Sequence, residues 1–178
     1  MRKVIVMMSV SLDGFAATED GGLGWMFSRI DDDTQEWMTA QMRRAHTHFL
    51  GRVAYEAQAG AWPGSSGETA DLVNGATKIV FSRTLTSVEW EGARLADLDP
   101  AGEIARLREE EGDDILVTGG VSFARGLGSA GLVDEYRLLV HPVALGRGMP
   151  LFGSLMELKL ADSTAFGNGA MGQILNPV

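Results

Sequence analysis

Two junctions, Leu50-Gly51-Arg52 and Thr118-Gly119-Gly120, each put glycine at the end of an apolar run and just ahead of a helical pattern. Such a turn aims backbone N–H groups from a helix N-terminus, where the partial positive charge favours phosphate. Arg52 would add a forked, permanently charged donor to the first of them. Glycine also permits a tight turn with no ligand, and that reading stands beside the anionic one. Ser82-Arg83-Thr84 closes a third apolar run with two hydroxyls and a guanidinium. That set suits a phosphate at a sheet edge, or is ordinary loop polarity.

Asp13 follows the first apolar run, so it would stand beside any cleft at the sheet edge and could orient or protonate a substrate. Asp13-Gly14 is equally a plain turn. Trp25, Tyr55 and Trp62 sit in or beside glycine-rich segments and could form flat walls for a heterocycle, with core packing as the alternative. His141 before Pro142 is a further site candidate, or a structural histidine. Met7, Met8, Met26, Met38 and Met42 are expected in the core. Gly126-Leu-Gly128-Ser-Ala-Gly131 matches a dinucleotide glycine pattern, but follows a helix and precedes a strand, the reverse of what that turn needs. His46 and His48 have no third ligand in sight, so no metal is expected. Neither a nucleophile elbow nor a phosphate-binding Walker motif is present.

The elements that must position these residues alternate between strand and helix, as an α/β sheet requires. Val4 to Val10, Thr47 to Leu50, Lys78 to Ser82, Asp114 to Thr118 and Val133 to Val143 read as strands. Helices are expected from Asp31-Asp32-Asp33-Thr34 onward, over Val53 to Ala59, after Asp99-Pro100, and over Val121 to Leu127. Gly60 to Gly67 and Leu145 to Phe152 read as loops, and the tail from Leu155 to Val178 as two strands joined near Gly167-Asn-Gly169.

The 178 residues suit one domain, residues 1–178, with 45% apolar and 22% charged composition. No window approaches the ~20 apolar residues of a membrane span, so no membrane partner is expected. A chain without cysteine has no disulfides, thiolate zinc site or cysteine nucleophile. With no export pattern, cytoplasmic localisation is the expectation. A net charge of −9 argues against nucleic acid as a partner and leaves any anionic cofactor to be held by local features.

With these residues in place, the chain resembles the dihydrofolate-reductase-like family that includes the reductase domain of bacterial bifunctional riboflavin-synthesis deaminase-reductases. The carriers are Val4 to Phe15, Phe49 to Glu56, Lys78 to Thr84, Ile115 to Gly120, Asp134 to Val143 and Gly146 to Phe152, in that order and spacing. The resemblance implies an α/β fold, a mostly parallel, twisted eight-stranded sheet flanked by helices, with an antiparallel strand near the C-terminal edge. It also implies NADPH. Gly51, Arg52 and Val53 would meet the pyrophosphate side, and Ser82, Arg83 and Thr84 the adenosine 2′-phosphate. Gly119, Gly120, Val121, Ser122 and Phe123 would meet the pyrophosphate and nicotinamide-ribose side.

Departures limit what carries over. Gly21 to Trp25 is similar to the mobile loop of dihydrofolate reductases, but the acidic residue that grips the pterin has no single counterpart among Asp31, Asp32 and Asp33. The zinc deaminase half of the bifunctional enzymes is not among these residues, so a place in riboflavin synthesis would need a separate deaminase. The expected activity is hydride transfer from NADPH to a C=N or C=O carbon of a small, flat, polar heterocycle. Asp13 would orient or protonate it, with Trp25, Tyr55, Trp62 and His141 around it. Alternatives are a catalytically silent ligand-binding protein on the same fold and a flavin-dependent or nitro-type reductase. Long C-terminal strands allow a homodimer.

Overall fold

Buried parallel strands read as unbroken apolar runs because helices cover both faces, and the first strand shows this directly. Val4, Val6, Met8 and Val10 enter one core cluster while Ile5 and Met7 enter the other. The computed structural model describes residues 1–178. It runs β1 (Val4–Ser11), β2 (Phe15–Ala17), α1 (Gly24–Phe27), α2 (Asp32–Met42), β3 (Thr47–Gly51) and α3 (Arg52–Ala61). It continues through α4 (Glu68–Gly75), β4 (Thr77–Phe81), β5 (Ala93–Leu95), α5 (Pro100–Glu109), β6 (Ile115–Thr118) and α6 (Val121–Ser129). The last stretch is β7 (Glu135–His141), β8 (Met149–Pro150), β9 (Leu158–Ala165) and β10 (Met171–Pro177).

Eight strands form one sheet in the order β5-β4-β3-β6-β1-β7-β10-β9. Pairings from β5 across to β7 are parallel, and β10 runs antiparallel to both β7 and β9. This is the mixed α/β architecture expected of the resemblance. Ile104 and Leu107 of α5, with Ala124 and Leu127 of α6, pack on one face of the sheet. Met42 of α2, Ala54 and Tyr55 of α3, and Val73 of α4 pack on the other.

The helix starts follow capping chemistry. At α2 the Asp31 carboxylate accepts from the Thr34 N–H at 3.0 Å, and the Thr34 hydroxyl accepts from the Asp31 N–H at 2.9 Å. At α5 the Asp99 carboxylate accepts from the Gly102 N–H at 2.8 Å, with Pro100 in the first turn.

Three features depart from the sequence expectation. Helix α4 begins at Gly67 with no side-chain cap, and its buried residues are Ala70 and Val73, too small a stripe to stand out. Strand β5 has three half-buried residues and is held by its pairing with β4. The expected loop over Leu145 to Phe152 contains β8, which pairs with β2 as a small antiparallel ribbon.

Because the six strands from β5 to β7 point the same way, their carboxyl ends form a single edge. Ser82, Arg52, Gly119, Asp13 and His141 come to that edge, where open α/β sheets bind ligands.

Candidate functional site

The turn from β6 into α6 is built by Gly119 at φ +84° and Gly120 at φ +73°, consecutive left-handed residues that a side chain would strain. A Cβ on Gly120 would also meet the Ala54 Cβ at 3.4 Å. Nearby, a Cβ on Gly51 would meet the Phe123 Cβ at 3.0 Å, so the β3–α3 turn and the start of α6 touch through the missing side chain. Gln58 of α3 donates to the Thr118 carbonyl at 2.6 Å and ties the two junctions together.

Three depressions open at or from this edge, the second running down between α5 and α6. The first, about 620 Å³, is polar and lined by Arg52, Ser82, Arg83, Thr84 and Asp99. The Ser82 hydroxyl accepts from the N–H groups of Thr84 and Leu85 at 3.1 and 2.9 Å, which fixes the loop. Arg52 pairs with Glu56 at 2.9 Å, whereas Arg83 is exposed and makes no ion pair within the protein. The second, about 370 Å³, shares Asp99 and Pro100 with the first and reaches Ser122 and Phe123 of α6. Val53, assigned to the same track, is exposed on the first turn of α3 and lines neither depression.

The third is a cavity of about 400 Å³ over β6, β1 and β7. Gly119, Gly120 and Val121 form one rim; Trp37, Trp62, Met38, Met42 and Phe27 are among the walls. Ser9, Gln58 and Thr118 are its polar side chains, and no charged residue lines it. The Thr118 hydroxyl is buried without a hydrogen-bond partner. The five methionines expected in the core all line this cavity, Met7, Met8 and Met42 serving core and cavity together.

The residues expected around the substrate divide. Trp62 lines the cavity, while Trp25 stands behind it, edge-on to His141 with ring centroids 5.5 Å apart. His141 is buried, and its Nε2 meets the Ser9 Oγ at 3.1 Å, so it reaches the cavity through Ser9. Burial first, and then the charge of Arg29, hold His141 below the ordinary histidine pKa and keep the imidazole neutral. Ser9 was not singled out by its sequence, although it is the polar interruption of the first apolar run.

Two assignments are corrected. Tyr55 is a core residue whose hydroxyl accepts from the Glu89 and Trp90 N–H groups at 2.9 and 3.4 Å, away from the cavity. Asp13 does not line the cavity either. Its carboxylate accepts from the Ser11 hydroxyl at 2.6 Å and from the N–H groups of Leu145 and Gly146 at 3.0 and 2.8 Å. The Ser11 bond leads in lowering its pKa, which leaves it ionised and unsuited to donating a proton. Elsewhere, His46 pairs with Asp113 at the surface, and His48 is buried in β3 with both ring nitrogens unpartnered.

Comparison with known proteins agrees with the geometry. A family model described as the RibD C-terminal domain matches residues 2–171. The uncharacterized protein YyaP of Bacillus subtilis is 30% identical over 182 residues, covering 96% of this chain and 92% of that one. A putative riboflavin biosynthesis protein from Shewanella sp. PV-4 superimposes with a TM-score of 0.79 at 24% identity, with 99% of each chain covered. A Thermotoga maritima diaminohydroxyphosphoribosylaminopyrimidine deaminase/5-amino-6-(5-phosphoribosylamino)uracil reductase superimposes at 0.70 with 17% identity, over 99% of this chain and 57% of that one. These two structures bear on the fold alone, whereas the family match runs nearly end to end: the chain belongs to the RibD C-terminal domain family.

Proposed function

We propose that this chain is a single-domain, NADPH-dependent reductase acting on a small, flat molecule with an electron-poor C=N or C=O carbon. The observation that carries the reading is the Gly119-Gly120 turn, left-handed at both residues, which rims an apolar cavity on the same sheet edge as the Arg83 pocket and opens helix α6. A dinucleotide needs that sequence of environments: a flat slot for nicotinamide, a backbone cradle for pyrophosphate, and cations for the 2′-phosphate.

The residues fit the group. Arg83 and Thr84, with Arg52 beside them, would hold the 2′-phosphate. Gly51, Gly119 and Gly120 let the backbone approach the pyrophosphate, with Ser122 and Phe123 along the path. When bound, the cofactor supplies a hydride to the substrate carbon, and a proton from water completes the reduction while NADP+ is formed. Val121 and Trp62 would hold the reacting carbons in contact and keep water from between them. The Ser9 hydroxyl, backed by the neutral His141, would hold the substrate nitrogen or oxygen by a hydrogen bond. Self-association belongs to the same proposal, through the outer strand β9, where Leu160 is exposed.

The absence of any ionisable side chain in the cavity wall favours one second reading, a protein that binds cofactor and ligand without turnover. Titration with NADPH and NADH, followed by tryptophan quenching and calorimetry, tests the first reading. Saturable binding with preference for NADPH is expected, and no binding of either would refute it. Cofactor binding without NADPH oxidation across a broad panel of carbonyl and imine compounds would favour the second.

A further inference from the structure

We infer that the substrate is an uncharged, mostly apolar ring compound, and that the cavity rejects phosphorylated molecules. This rests on the reductase reading and narrows it. No Asp, Glu, Lys, Arg or His lines the cavity, and its polar groups are few and largely spoken for. Gln58 donates to the Thr118 carbonyl and Ser9 meets His141, so a ligand is left the buried, unpartnered Thr118 hydroxyl, the remaining capacity of the Ser9 hydroxyl and the indole N–H groups of the wall, all of them neutral. The demand for hydrogen bonds is therefore met by neutral carbonyl or imine groups. A phosphate placed here would lose its water and find no cation, a burial that apolar walls do not compensate.

The mouth repeats the chemistry of the walls. Helix α1 buries none of its own residues, and Phe27 on it and Leu23 just before it line the cavity while standing 62% and 38% exposed. Apolar side chains left in solvent at a cavity mouth mark a site for an apolar ligand. Size agrees. About 400 Å³ must admit the nicotinamide at Gly119–Val121 as well as the substrate, so it holds two small ring systems in contact and no sugar phosphate beside them. The cationic pocket at Arg83 lies at the far end of the edge and belongs to the cofactor on this reading.

The matched probes 1-naphthol and 1-naphthyl phosphate test it, titrated by calorimetry into the free protein and into protein saturated with NADP+. The naphthol is expected to bind about tenfold tighter or more in both forms. In Met38→Lys, which puts a cation at a half-buried cavity position, the order should reverse in the free protein, with the unfolding midpoint as the control of folding. Equal or tighter binding of the phosphate by the natural protein, or failure of both probes, would overturn the inference. Naphthol preference in a protein that does not bind NADP+ would break the reductase reading and leave the cavity assignment standing.

Discussion

Replacing Arg83 by alanine should separate the two nicotinamide cofactors. The side chain is exposed at the end of β4, makes no ion pair within the protein, and lines the polar pocket with Ser82 and Thr84. Its removal should leave folding stability within about 0.5 kcal/mol, because nothing in the fold leans on it. A hydrogen bond from a charged donor contributes about 1.5–3 kcal/mol, and solvent at this site pulls the figure toward the lower end. NADPH affinity should therefore fall roughly 10- to 30-fold. NADH has no 2′-phosphate and should bind the variant as it binds the natural protein. Arg52→Ala should cost NADPH less, since that guanidinium already pairs with Glu56 at 2.9 Å. Calorimetric titrations of both cofactors at low and moderate salt read the effect, and added salt should shrink the gap. Equal losses for NADPH and NADH, or none for NADPH, would refute the assignment of this pocket.

Three further outcomes follow from the geometry. Gly120→Ala forces a Cβ into left-handed backbone against Ala54, and should cost about 1–2 kcal/mol of stability together with most of the cofactor affinity, read by denaturant unfolding and NADPH titration. Asp13→Asn should lower the unfolding midpoint, because the 145–146 backbone loses its ionised acceptor, while leaving NADPH affinity unchanged; a selective loss of turnover would restore Asp13 as a catalytic group. His48, pushed down to about 4, first by burial and then by the nearby Lys78, binds its proton in the unfolded chain near pH 6.5 but in the folded one only near pH 4. Stability should therefore be full above pH 6.5 and fall by about 3 kcal/mol as pH drops to 4. His48→Leu should flatten that acid limb in unfolding curves taken across the range.

The elements legible in the sequence are those whose burial is decided locally. Strands β1, β3, β4 and β6 are buried along most of their length, so each carries an apolar stretch, Val4–Met8, Phe49–Leu50, Ile79–Phe81 and Ile115–Val117, of the kind a sheet covered on both faces requires. Helices α2 and α5 announce themselves through Asp31 and Asp99, whose caps act within three residues. What stayed hidden depends on distant partners. Strand β5 exists because β4 offers it an edge, and β8 because β2 is folded back against it.

The same division runs through the site. The glycine turn at the cavity rim was readable because backbone conformation dictates residue type: two consecutive left-handed positions demand glycine whatever lies around them. The cavity was not, because Trp37, Met38 and Met42 carry the same helical spacing whether they face a packed core or an empty space. Asp13 misled for the opposite reason. A carboxylate just past a strand end looks chemical until its hydrogen-bond donors are counted, and two of the three come from residues 132 and 133 positions along the chain. Ser9 was concealed by its neighbours, since one hydroxyl in an apolar strand reads as an interruption until His141 on the adjacent strand is brought to 3.1 Å. Binding determinants made of backbone shape are thus visible before folding, whereas those made of side-chain surroundings appear only after it. Substrate choice, as proposed for this protein, would belong to the second kind, since the apolar cavity wall is assembled from α2, α3, β1, β6 and β7 together.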